Sequence, residues 1–411
     1  MAVIRPFCAV RPAVEYADKV AALPYDVYNR AEAKKEVERE PLSFLAIDRA
    51  ETQFEDSVSV YAPEVYAKAK ELFEERISQG IFVEDKQSAY YIYQLEMNGR
   101  TQTGIAACAS VDDYLVGTIK KHENTREEKE QDRIRHVDTL SAQTGPIFLA
   151  YRSQATINQL VSKIMETQEP LYDFTASDGI AHRMWKVTEE AVTTLQEAFA
   201  GIQEIYIADG HHRAASAVKV GLKRRKEHPD YDGTEEFNYF LSVLFPDDQL
   251  MIMDYNRCVK DLHGLTKEAF LKAVEECFDV AVLDGAKHPQ AKGQITMYLE
   301  NRWYLLQAKQ ELLAITDPVA ALDVSLLQEY LLKPVLGIED PRTDERIDFI
   351  GGIRGLEELE RRVQTDMTVA FAMYPTSIGE LFAVADAGLL MPPKSTWFEP
   401  KLRSGLLMHR I

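Results

Sequence analysis

The segment Ile205-Tyr206-Ile207-Ala208-Asp209-Gly210-His211-His212-Arg213-Ala214-Ala215-Ser216-Ala217 constrains this chain more than any other stretch. An apolar run stops at an Asp-Gly pair, and an alanine-rich helical pattern begins at once behind it. That order predicts a strand, a tight turn and a helix whose first turn carries His211, His212 and Arg213. A helix start already presents bare N–H groups and the positive end of the peptide dipoles. Side-chain donors at the same spot make it a place to hold a phosphate. The purely structural account is a βα connection with Asp209 as N-cap and a solvated His-His-Arg run. His211 and His212 are neighbours, so on a helix they diverge by about 100° and do not readily share one metal ion.

A second cluster is His122-Glu123-Asn124-Thr125 with a helix expected from Arg126 to Ala142, Thr125 and Glu128 forming a capping-box pattern at its start. Lys129, Asp132, Arg133 and His136 recur at helical spacing and share one face. Lys129 and Arg133 are like charges four residues apart, a small cost in a bare helix that an anion on that face would relieve. Charge on the other faces also fits a solvated helix. Glu123 is the first choice of general base, because a hydroxyl needs a carboxylate within reach to become a nucleophile near neutral pH. Asp26, in Pro24-Tyr25-Asp26-Val27, is the rival base and a candidate Mg²⁺ ligand; it serves equally well as a capping Asp in a Pro-led turn. Asp209 is the other candidate Mg²⁺ ligand. The stretch from Met391 to Gly405 lacks periodicity but holds Trp397 and Phe398, so it should pack on the body. Its cations Lys394, Lys401 and Arg403 are then available to phosphates at a cleft mouth.

ADGHHRAASA resembles the motif of the ParB/sulfiredoxin-like superfamily, whose members set such a turn against a nucleotide phosphate. The free serine kinase, which phosphorylates L-serine, carries a DGHHR motif of this kind. Over its whole length the chain also resembles a widespread prokaryotic family catalogued as a domain of unknown function. That likeness rests on Arg11-Pro12, Leu23-Pro24-Tyr25-Asp26-Val27, Pro41-Leu42-Ser43-Phe44-Leu45, His122-Glu123-Asn124-Thr125, the DGHHR turn, Lys394-Ser395-Thr396 and Pro400-Lys401. The resemblance implies that Asp209, Gly210, His211, His212 and Arg213 hold donor phosphates and that His122 belongs to the catalytic group with Glu123. It also makes L-serine the first choice of substrate.

Composition narrows the classes further. There are 66 acidic against 47 basic residues, a net charge of −19. DNA binding needs a basic footprint, so the DNA-binding branch of that superfamily is set aside. The dense cations Lys223 to Lys226 close a helix, where they complement its dipole. No apolar run reaches the roughly 18 residues of a membrane span, and Met1 to Pro6 is no signal segment, so a cytoplasmic protein is expected. Cys8, Cys108, Cys258 and Cys277 form no CxxC pair; buried, reduced thiols are expected rather than zinc. No Walker, Rossmann, zincin or nucleophile-elbow motif occurs.

Further expectations are a helix over 61–79, a hairpin through Asn98-Gly99, a strand over 114–119, helices over 154–168 and 188–200, a hairpin near Asn301-Arg302 and an apolar helix over 320–335. The predicted fold class is α/β (mixed α+β), a mixed sheet with hairpins and a strand-DGHHR-helix turn, followed by a C-terminal α/β unit. The expected division is residues 1–258 and 259–411. The expected activity is phosphoryl transfer to a small hydroxyl substrate, or its reverse, with Mg²⁺ and ATP, ADP or pyrophosphate. A non-catalytic nucleotide-binding or regulatory protein and a phosphoester or nucleotide hydrolase are the alternatives. The expected partners are a small-molecule substrate and a phosphate donor, with no nucleic acid and no membrane, and the oligomeric state is left open.

Overall fold

A computed structural model describes residues 2–125 and 127–411. The chain forms two compact units, Met1–Leu250 with Pro400–Ile411, and Met251–Glu399. Both are mixtures of helix and sheet, the expected class.

The first unit is built on a nine-stranded mixed sheet. Its order is Ile119–Lys120, Ile205–Asp209, Ile147–Tyr151, Tyr239–Pro246, Arg100–Ser110, Tyr91–Met97, Ala181–Lys186 and Tyr172–Thr175, with Ile4–Arg5 also pairing Arg100–Ser110. Ile205–Asp209 runs parallel to Ile119–Lys120, and Tyr239–Pro246 parallel to Ile147–Tyr151; the other pairs are antiparallel. Asn98 and Gly99 both have positive φ, 54° and 76°, as the tight turn between Tyr91–Met97 and Arg100–Ser110 demands. A four-stranded sheet joins Phe82–Glu84, Ala9–Pro12, Met408–Arg410 and Ala142–Gln143.

Two buried clusters place the functional elements. Leu149, Ile205, Ile207, Ala214, Ala217 and Val218 lock helix His211–Glu227 onto the large sheet. Phe44, Leu45, Ile47, Phe73, Phe82 and Leu140 bring helix Leu45–Asp48 against helix Glu127–Leu140. Each fully buried side chain of this size is worth about 1.5–3 kcal/mol.

The second unit holds a six-stranded antiparallel sheet, ordered Phe278–Val282, Arg302–Ala308, Gln294–Leu299, Val369–Met373, Tyr255–Val259 and Ile347–Gly351. Ile252–Met253 pairs with Trp397–Phe398.

Several elements differ from expectation. Of the strand expected over 114–119, only Ile119 is in a strand, as the first residue of Ile119–Lys120. Val111–Val116 is a helix, since the Ser110 hydroxyl accepts from the N–H groups of Asp112 and Asp113 and Gly117 closes the turn at φ 82°. Residues 320–335 are not one helix: Asp323–Leu327 gives way to a π-helical turn, Gln328–Leu332. Pro334 has no N–H to continue the ladder. The helix over 127–140 is described from Glu127; Arg126, the expected start, lies outside the described residues. The Thr125 hydroxyl donates to Glu130 Oε2 at 2.7 Å. Of the thiols, Cys108 and Cys258 are buried, but Cys8 is exposed and Cys277 half-buried. No helix among the described residues is long and apolar enough to cross a membrane.

Candidate functional site

Strand Ile205–Asp209 carries a bulge: Ile207 pairs with Leu149 and Asp209 with Phe148, leaving Ala208 as the extra residue. Such a bulge re-aims the side chains beyond it. Gly210 follows with φ 92°, a left-handed conformation that glycine adopts without strain. It is the N-cap of His211–Glu227, so this helix has no capping side chain, and Asp209 is not the cap that the structural account assigned.

The Asp209 carboxylate turns instead to cations, with Arg213 Nη2 at 3.3 Å and Lys401 Nζ at 3.9 Å. Burial opposes its ionisation, but Lys401, then Arg213 and His211, outweigh that and hold the carboxyl down at about 2. Arg213 also donates to the Pro146 carbonyl. Lys401 thus lies beside the DGHHR turn.

His122 and Glu123 meet the same turn. The His122 main-chain N–H donates to His211 Nε2 at 3.4 Å, and the two rings stand edge to face with centroids 4.5 Å apart. Accepting at Nε2 requires the neutral form of His211 with its proton on Nδ1, and Glu123 Oε2 lies 3.9 Å from that Nδ1. Burial, then the neighbouring His122, pushes the His211 imidazole well below its ordinary value. Burial likewise takes His122 down to about 4. His122 Nδ1 is buried and has no hydrogen-bond partner among the described residues. The His212 carbonyl accepts from the Ser216 hydroxyl at 2.6 Å, which leaves the imidazole half-buried beside the helix start.

Two cavities share a wall near this helix, and only the smaller is lined by a residue of the turn. The smaller, about 30 Å³, is lined by Arg213, Thr144, Gly145 and Ser404 among others. The larger, about 190 Å³, is lined by all four residues of the expected helix face, Lys129, Asp132, Arg133 and His136, and by Asp26. Tyr25, Asp48, Arg133 and His136 line both. Arg133 stacks over the Tyr25 ring at 4.0 Å and pairs with Asp132 at 2.8 Å. Asp26 is exposed in the short turn Tyr25–Val27, whose N-cap is Pro24.

Not every predicted residue converges here. Lys394 lies in the second unit, its carbonyl accepting from Arg257 at 3.0 Å and its ammonium 5.5 Å from the Tyr255 ring centre. Arg403 belongs to the first unit but is 4% exposed, donating to His182 Nε2 at 3.2 Å and pairing with Asp178. Its guanidinium is spent inside the protein, which suits an anchor for Lys401 better than a phosphate ligand. Asp48, which the sequence reading missed, accepts from Thr144 Oγ1 at 2.9 Å and faces His136 Nε2 at 3.4 Å. An Asp ending an otherwise apolar Leu-Ala-Ile run was the available signal.

The residues named for Mg²⁺ do not fit a preformed metal site. Asp209 is flanked by two cations, Asp26 stands alone on the surface, and the described residues contain no group of three or more His, Cys, Asp or Glu able to hold a metal. No step below is routed through a metal ion.

In this α/β unit a bulged strand and a glycine turn lead into an uncapped helix start, with Arg213 and Lys401 beside Asp209. A family model described as a protein of unknown function, DUF1015, matches residues 4–325, and the chain belongs to that family. No curated protein matches it in sequence. Among solved structures it is similar to a free serine kinase in complex with AMP, at 14% identity and TM-score 0.35, covering 74% of this chain and 92% of that one. It is also similar to SbnI with a C-terminal truncation from Staphylococcus aureus (12%, TM-score 0.39, 73% and 85%). A third is a conserved hypothetical protein from Pyrococcus furiosus (15%, TM-score 0.35, 74% and 94%).

Proposed function

We propose that the first unit is a phosphotransferase acting on a small hydroxyl substrate, L-serine being the first choice, with a nucleotide or pyrophosphate as the phosphoryl partner in either direction. One observation carries this reading: the uncapped start of helix His211–Glu227, with Arg213 and Lys401 at Asp209 on one side and Glu123 3.9 Å from His211 on the other. Donor phosphates take the helix N–H groups and the Arg213 and Lys401 charges. Glu123 removes the proton of the acceptor hydroxyl as its oxygen bonds to phosphorus, and the bond to the leaving phosphate oxygen breaks. Neutral His211, 3.9 Å away, does not take that proton, its own basicity being suppressed by burial.

The test is incubation with L-serine, Mg²⁺ and each of ATP, ADP and pyrophosphate, with phosphoserine read by mass spectrometry. Arg213→Ala is expected to weaken donor binding by about 1.5–3 kcal/mol, the scale of a charge-assisted hydrogen bond. Glu123→Gln is expected to bind donor nearly as the wild type does and to lose about 10²–10⁴-fold in transfer rate. Donor binding with no phosphoserine would support the regulatory reading. Phosphate release without serine would support a hydrolase.

A further inference from the structure

The charges of the 190 Å³ cavity fall into two sets. Those in its interior are mutually satisfied. Arg49 pairs with Glu51 and donates to the carbonyls of Tyr25 and Tyr28. Arg133 pairs with Asp132, which also accepts from the Tyr66 hydroxyl at 2.8 Å. Asp48 accepts from Thr144. Two lining residues of opposite sign remain, Asp26 and Lys129. Both are exposed, and neither side chain has a hydrogen bond or ion pair among the described residues. A third polar group stands at depth: His136 is 3% exposed, with its Nε2 3.4 Å from Asp48 Oδ1.

At about 190 Å³ the cavity has room for a molecule of several heavy atoms. The wall formed by Tyr25, Asp48, Arg133 and His136 is shared with the smaller cavity that Arg213 lines. A molecule in the larger cavity therefore ends against the side from which the DGHHR turn approaches.

We propose that this cavity is the acceptor pocket and that it selects a small zwitterion bearing a hydroxyl, with Lys129 taking the carboxylate and Asp26 the ammonium. The acceptor role rests on the phosphotransfer reading; the charge selection is a property of the pocket itself. Three hydroxyl compounds separate the charges: L-serine carries both, D-glycerate only the carboxylate, and ethanolamine only the ammonium. Their binding is measured by ligand-observed NMR on the full chain, as wild type, Lys129→Met and Asp26→Asn, with circular dichroism confirming the fold. L-serine is expected to bind the wild type most tightly. Lys129→Met is expected to weaken L-serine and D-glycerate roughly tenfold, the loss of one charge-assisted contact, and to spare ethanolamine. Asp26→Asn is expected to weaken L-serine and ethanolamine and to spare D-glycerate. An equal loss for all three compounds in either variant, or no change in any, overturns the assignment. Pyrophosphate binding on the same samples reports on the DGHHR turn. If pyrophosphate binds and none of the three compounds does, the pocket proposal falls alone; if nothing binds, the phosphotransfer reading falls with it.

Discussion

His122, His182 and His211 are buried and held neutral, and that gives the first unit a pH signature. Burial takes His122 down to about 4 and His182 to about 3, and it pushes His211 down as well. The unfolded chain, with histidines near 6.5, binds protons first. Stability is therefore complete above pH 6.5 and lost as pH falls toward 4, by up to about 1.4 kcal/mol per pH unit for each histidine. Asp209, held at about 2, adds to the loss only below about pH 5, where the unfolded carboxylate begins to take up its proton. Denaturant midpoints from pH 7.5 to 4.5 are expected to fall steadily, and His122→Asn should flatten the slope by one histidine's share. An unchanged slope would mean that His122 takes up its proton in the folded protein. The sequence named His122 and His211 from their motifs. It was silent on His182, which stacks on Phe174 of the adjacent strand and hydrogen-bonds to Tyr93 and Arg403, two residues far away in the chain.

Helix His211–Glu227 shows how packing overrides propensity. Its alanine-rich helical pattern was plain from the sequence, and its buried face includes Ala214, Ala217, Val218 and Gly221. The reason for a glycine at 221 was not: a Cβ there would stand 2.5 Å from the Phe237 carbonyl oxygen. Alanine is the better helix former by about 1 kcal/mol, yet overpacking against backbone costs about 1–3 kcal/mol. Gly221→Ala is expected to lower the denaturation midpoint and to weaken pyrophosphate binding by shifting the helix start. A raised midpoint would show that the helix has room to move. The misread strand over 114–119 has the same lesson in reverse. Tyr114, Leu115 and Val116 favour a strand, but the Ser110 cap and two acidic residues in the first turn won the backbone for a helix.

At the scale of the whole molecule, the last twelve residues belong to the first unit although the preceding 149 form another. Met408–Arg410 lies between Ala9–Pro12 and Ala142–Gln143, and His409, 1% exposed, is 2.7 Å from Glu236. Ending the chain at Glu399 removes that inner strand together with Lys401 and the Arg403 anchor. Such a truncation is expected to lower the melting temperature and to abolish pyrophosphate binding, whereas Lys401→Ala should reduce binding with little change in melting. Equal melting of the truncated and full chains would mean that the strand adds no stability.

Local chemistry in the sequence determined the class of fold, the turn at Asn98-Gly99, the βα junction at Asp209-Gly210 and the charged face Lys129-Asp132-Arg133-His136. Each depends on residues within a few positions of one another, where turn geometry and helical period act directly. Only the tertiary structure decided that Glu123 meets His211, that Lys401 meets Asp209 while Arg403 turns inward, and that Asp48 faces His136. Those contacts join segments tens to hundreds of residues apart. They exist because buried apolar clusters dock whole elements against one another, a term that depends on total area buried and leaves no mark at the residues it brings together.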